Sequence, residues 1–205
     1  MALTAPDSCG AHVGGRLGQA LRALRDGEPC GDQLGCWITS GGLRLALADG
    51  LGHGREAHAA AATAMHQLAA ECTEPALDVV FARCDQRLLN TRGVALAVVD
   101  ICGDDASIQH AAVGNVRTLL VQDDRVKRLG GARGIVGAGF SSLRTERLTI
   151  NPGDWLIIFS DGIRENAGIV DCLVDAQPSD QFAEGLLARW ADERDDASLL
   201  LYRHR

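Results

Sequence analysis

The sequence predicts an α+β layered fold, antiparallel sheets with helices packed on their outer side. Strand-like and helix-like stretches come in blocks and not in the strict alternation of a doubly wound parallel sheet. The middle of the chain reads as successive strands separated by short Gly/Asn/Asp turns, the spacing of antiparallel neighbours. Two helical periods stand side by side just ahead of that block. At 205 residues there is material for one well-buried core and little for a second, so residues 1–205 are read as a single domain.

Residues 26–35 (DGEPCGDQLG) are turn-rich and link an N-terminal strand to the next. Residues 43–48 (LRLALA) are apolar enough for a buried strand and run straight into DGLGHG at 49–54. From Arg55 the period changes: Ala57, Ala61, Ala64, Met65 and Leu68 recur at helical spacing in an alanine-rich stretch. Leu77, Val80, Phe81, Cys84 and Leu88 mark a second amphipathic helix, opened near Pro75. After Gly93 the period shortens, and residues 94–101, 107–113, 116–122 and 155–160 read as strands. Gly114 and Asn115 read as a hairpin-type turn joining the second of these to the third. A helix over 180–191 and a short strand over 198–202 complete the chain.

Composition removes several function classes. Hydrophobic residues make up 46% and charged residues 23%, which is globular composition, and the net charge is -7. The basic residues are scattered and form no stripe, so nucleic acid is not an expected partner. No apolar run approaches the ~20 residues that span a bilayer. Residues 1–10 lack the basic-then-apolar order of a secretory leader. Seven cysteines, irregularly spaced and without a C-x-x-C pair, argue against a disulfide framework and a thiolate zinc site. A cytoplasmic location is expected, with no membrane partner.

The chemistry concentrates in aspartates. Asp32 (CGD), Asp49 (LADGLGHG), Asp161 (FSDGI) and the pair Asp195 and Asp196 (RDDAS) each stand where a strand ends or a tight turn begins. A strand end fixes the direction of a carboxylate, and a following glycine lets a ligand approach the backbone. A lone Asp-Gly is most often only a turn. Several acidic sites without Cys or paired-His spacing suit a hard, oxygen-seeking ion such as Mg²⁺ or Mn²⁺. No G-x-S-x-G elbow and no Cys-x5-Arg loop supplies a protein nucleophile. His53, inside the 49–54 loop, is the candidate general acid, with a metal-held water as the alternative. His58 and His66 lie on the alanine-rich helix and read as surface or packing residues, and His12, His110 and His204 lack partners at ligand spacing. The glycine-rich run 130–139 (GGARGIVGAG) lacks the G-K-[ST] of a phosphate-binding P-loop.

CGD at 30–32, ADGLGHG at 48–54, RGVAL at 92–96, VGNVR at 113–117, FSDGI at 159–163 and RDDASLLLY at 194–202 occur in this order. Together they resemble the SpoIIE-type branch of the metal-dependent serine/threonine phosphatases, the protein phosphatase 2C superfamily, from about Cys30 to Tyr202. The resemblance implies two layered antiparallel β-sheets flanked by α-helices (an αββα sandwich) with two Mn²⁺ or Mg²⁺ ions at one end. It implies that Asp49 bridges both ions, with the Gly50 carbonyl in one shell. Asp161 and Asp195 would hold the second ion, and Asp32 would contribute directly or through water. Asp196 is the less expected member of its pair. His53 departs from the D-G-H-G order of eukaryotic relatives, being four residues after Asp49. The 130–139 run would form a flap, where Arg133, or Arg117 after the 114–115 turn, would meet substrate phosphate. The implied activity is dephosphorylation of phosphoserine or phosphothreonine on a STAS-domain protein of a stressosome-like complex. A pseudo-phosphatase that only binds its phosphorylated partner, and a small-phosphoester hydrolase, are the alternatives, since fold and metals do not set the substrate.

Overall fold

Leu43, Leu45 and Leu47 alternate with Arg44, Ala46 and Ala48 along one strand, and all six are buried. A strand buried on both faces needs a packed layer on each side. The computed structural model, which describes residues 15–73, 76–103, 105–123, 125–165 and 167–205, supplies those layers. Cys9, His12, Pro75 and the leader-free reading of residues 1–10 lie outside the described residues.

The chain runs β1 (Gly15–Arg22), β2 (Asp32–Thr39), β3 (Gly42–Gly50), α1 (Arg55–Ala70), α2 (Leu77–Leu88), β4 (Val94–Cys102), β5 (Ser107–Val113), β6 (Arg117–Gln122) and β7 (Arg125–Leu129). It continues through β8 (Gly134–Ile135), β9 (Gly139–Phe140), β10 (Glu146–Thr149), β11 (Trp155–Phe159), α3 (Asp180–Trp190) and β12 (Ala197–His204). One antiparallel sheet has the order β1-β12-β11-β6-β7 and the other β10-β5-β4-β3-β2. Leu17, Leu45, Val99, Leu120, Ile158 and Tyr202 fill the space between the sheets. On the outer face of the second sheet Ala46, Ala48, Leu96 and Val98 meet Ala60, Ala61, Ala64 and Leu68 of α1 and Phe81 of α2. Alanine on both surfaces lets α1 lie close to the strands. Ile157, Leu199 and Leu201 pack against Ala183, Leu186 and Leu187 of α3 on the other side. The four layers are α, β, β, α.

Arg44 is the exception on the α1 face. Its Nε and Nη2 each donate to a different oxygen of Asp100 at 2.7 Å, and its Nη1 donates to the Glu71 carbonyl at 2.8 Å. The Glu71 carboxylate accepts from Gln67 at 2.8 Å and also meets Arg83. A buried guanidinium held on three sides fixes the end of α1 to β3 and β4.

Two expectations are corrected. Gly114 and Asn115 do not close a hairpin: β5 belongs to the second sheet and β6 to the first, so this turn carries the chain between layers. β10 occupies the edge of β5 that a hairpin partner would need. The turn expected over 26–35 ends at Gly31, because pairing with β3 extends β2 back to Asp32. Strands β7 and β10 had no sequence signal, since RVKRL and ERLT are charged edge strands without apolar alternation.

Candidate metal centre

Asp32 opens β2 and stands directly opposite Asp49 near the end of β3. Leu34 and Cys36 of β2, and Leu45 and Leu47 of β3, face the gap between the sheets. Strand alternation therefore turns both carboxylates into one end of that gap. Like charges directly opposite each other destabilise a sheet. From the other sheet come Asp161, two residues after β11, and Asp195, two residues before β12, where Phe159 pairs with Leu199.

The four carboxylates feel one another. Burial pushes the Asp49 carboxyl up strongly, and Asp32, Asp161 and Asp195 add to the rise, with Asp161 close enough to share a proton with it. Burial also raises Asp32; the Ser160 and Ser198 hydroxyls oppose this, and Asp196 and Asp161 reinforce it. Asp32 Oδ2 nevertheless has no hydrogen-bond partner among the described residues. Asp195 is raised by burial first and by Asp161 next.

Close backbone packing brings these segments together. A Cβ on Gly50 would lie 2.1 Å from the Ala57 carbonyl oxygen, and one on Gly162 would lie 1.9 Å from that of Asp196. Only glycine lets the 49–54 loop meet α1, or FSDGI meet RDD, at such separations. Asp196 serves the scaffold: its carboxylate accepts from Leu24 N at 2.7 Å and Gly31 N at 2.9 Å. That ties the 24–31 loop, and so the start of β2, to the RDD segment. His58 contributes similarly, donating from Nδ1 to the Cys30 carbonyl at 2.9 Å. Asn115 Nδ2 donates to Asp161 Oδ2.

His53 is half exposed, its Nδ1 4.0 Å from Glu28 Oε2. It belongs to the 49–54 loop, four residues after Asp49. Arg117 Nη1 donates to the Asn115 carbonyl at 2.7 Å, and its Nε lies 3.4 Å from Glu165. Arg117 and Asp161 thus both contact Asn115. The glycine-rich run folds into the β8–β9 hairpin, moored by Val94 and Val136, which exchange both backbone bonds at 2.9 and 3.0 Å. Arg133 lies at its base, its backbone N donating to Ser141 Oγ at 3.2 Å. Among the described residues its guanidinium bonds to none of the aspartates. Asn115, His58 and the structural use of Asp196 were missed in the sequence. Only Asn115 carried a signal there, its place in VGNVR.

The donor set is all oxygen, crowded with negative charge and holding an orphaned buried carboxylate oxygen, which fits a hard divalent cation. Among the described residues no three Asp, Glu, His or Cys side chains stand tightly enough to share one ion as they are placed. Asp32 is buried, Asp49 and Asp195 are half-buried, and Asp161 is exposed.

The family described as Stage II sporulation protein E (SpoIIE) matches residues 39–205. Phosphoserine phosphatase RsbX of Bacillus subtilis (strain 168) is 25% identical over 173 residues, covering 84% of this chain and 86% of RsbX. A chain of the structure "The bacterial stressosome: a modular system that has been adapted to control secondary messenger signaling" superposes with a TM-score of 0.86 at 27% identity, over 92% of this chain and 99% of that one. The crystal structure of RsbX in complex with magnesium gives a TM-score of 0.80 at 22% identity, over 92% and 94%.

Proposed function

The chain belongs to the SpoIIE family, and from that premise we propose that it is a protein serine/threonine phosphatase working with two Mn²⁺ or Mg²⁺ ions. The observation that carries this reading is the register that sets Asp32 opposite Asp49 at the end of the intersheet gap. A sheet gains nothing from that pairing unless a cation answers it. Asp49, the Gly50 carbonyl, Asp161, Asp195 and Asp32 would hold the ions. When bound, paired divalent cations activate water and neutralise phosphoryl oxygens.

The chain's own side chains do the rest. Asn115 holds Asp161 in place. His53, in the 49–54 loop, is the proton donor to the departing seryl or threonyl oxygen. Arg117 and Arg133 meet the phosphate or the protein that bears it. The phosphoserine activity named for RsbX and the stressosome structure's likeness support a phosphorylated STAS-domain protein as substrate. A cytoplasmic setting follows from such a partner, and among the described residues no helix is long and apolar enough to cross a membrane.

The test is turnover of p-nitrophenyl phosphate and of a phosphorylated STAS-domain protein, the latter read by mass. Both reactions should require Mn²⁺ or Mg²⁺ and stop in EDTA. Turnover that survives chelation would overturn the two-ion reading.

A further inference from the structure

Beside the 49–54 loop lies a cleft of about 530 Å³. Its charged lining is Arg25, Glu28, His53, Arg55, Glu56 and Arg92. The volume lies within the ~300–1,000 Å³ of sites that take small ligands or short chain segments. No Phe, Tyr or Trp side chain lines it.

The charges inside are almost, but not wholly, answered. Arg92 meets Glu56, Arg25 lies 3.5 Å from Glu28, and His53 lies 4.0 Å from the same carboxylate. Among the described residues Arg55 has no carboxylate partner, and it is exposed. Three guanidinium groups against two carboxylates make the cleft locally positive on a chain of net charge -7. The cleft also adjoins the metal loop. A Cβ on Gly52 would lie 2.9 Å from Arg92 Nη1, and His53 belongs to both features.

We propose that this cleft seats the peptide segment flanking the phosphoserine, and that Arg55 selects segments with an acidic residue beside it. The proposal rests on the phosphatase reading for what enters the neighbouring metal centre, and on the cleft's own charges for the selectivity. A planar guanidinium pairs with a carboxylate through two parallel bonds, so an unpaired one in a polar groove favours Asp or Glu over neutral residues. The Glu28 and Glu56 pairs are exposed and exchange readily with an incoming acidic chain.

The experiment uses two fluorescent peptides bearing the phosphonate analogue of phosphoserine, whose C–P bond is not hydrolysed. One has glutamates flanking the analogue and the other serines, and anisotropy is read with Mn²⁺ present. The wild-type chain should bind the acidic peptide about fivefold or more tighter. Arg55→Glu should erase that preference, with Arg55→Gln intermediate. Equal wild-type affinity for the two peptides, or a preference that survives in Arg55→Glu, would overturn the proposal. Turnover of p-nitrophenyl phosphate, run alongside, reports on the phosphatase reading alone. An inert wild type that keeps the Arg55-dependent preference sinks the catalytic reading and upholds the cleft. An active wild type without the preference does the reverse.

Discussion

Asp49 is a carboxylate whose nearest cross-strand neighbour is another carboxylate, and its surroundings hold its pKa far above the ordinary range, burial first and the other aspartates after it. Replacing it with asparagine removes that repulsion and, on the proposed reading, one metal ligand. Asp49→Asn should melt about 2–4 °C higher than wild type in EDTA, roughly 1 kcal/mol. The same variant should lose both its turnover and any rise in melting temperature with Mn²⁺. Differential scanning calorimetry with and without metal reads both effects; an equal Mn²⁺ response in variant and wild type would contradict the ligand assignment. His53→Ala should slow release of phosphate from phosphoserine by about 10²-fold or more. Its effect on p-nitrophenyl phosphate should be much smaller, because nitrophenolate leaves without a proton. Equal losses on the two substrates would place His53 outside proton transfer. The aspartates were legible in the sequence because Asp-Gly at a strand end repeats at 49 and 161. His58 was not, since its role depends on the fold bringing Cys30 beside α1.

At the scale of the elements, polar residues decide how strands and helices are fixed together. Arg44, 1% exposed, is answered by Asp100 of β4 and by the last turn of α1. Asp100→Ala removes the carboxylate that answers this buried guanidinium, and should cost about 3–5 kcal/mol in urea unfolding, with an unchanged m-value. His110 of β5 is wholly buried, and neither ring nitrogen has a hydrogen-bond partner among the described residues. Burial holds it down at about 4 against an ordinary 6.5; Glu146 pulls the other way, and Lys127 adds to the lowering. The unfolded chain thus takes up this proton near pH 6.5 and the folded chain only near pH 4. Stability should be complete above about pH 6.5 and fall by up to roughly 3 kcal/mol as the pH drops toward 4. Urea melts from pH 7.5 to 4.5 should show a shallower decline for His110→Leu than for wild type, and parallel declines would refute the assignment. Helices α1 and α2 were plain in the sequence because apolar residues recur at 3.6-residue spacing over several turns. The 114–115 turn misled because hairpin chemistry is local, whereas the choice of sheet depends on which edge β10 has already taken.

The whole molecule is two sheets whose aspartate-bearing ends meet at one point. Layers, strand directions and outer helices could be read from the sequence through alternation and through the family resemblance. Convergence could not be read from periodicity, because it depends on backbone approaches such as Gly162 against Asp196 and Gly50 against Ala57. Cations entering between the aspartates of the two sheets should tighten that end of the molecule. With Mn²⁺ at about a hundred times its dissociation constant, one site alone adds about 2.7 kcal/mol to folding. Hydrogen exchange should therefore slow with Mn²⁺ at the amides of Gly31, Gly50 and Gly162, and stay unchanged at the far end near His204. The most direct measurement of the central claim is calorimetric titration of Mn²⁺ into the chelator-stripped chain. Two ions should bind per wild-type chain, and neither should bind with full affinity to Asp49→Asn. Failure of the wild-type chain to bind Mn²⁺, or identical binding by the variant, would contradict it.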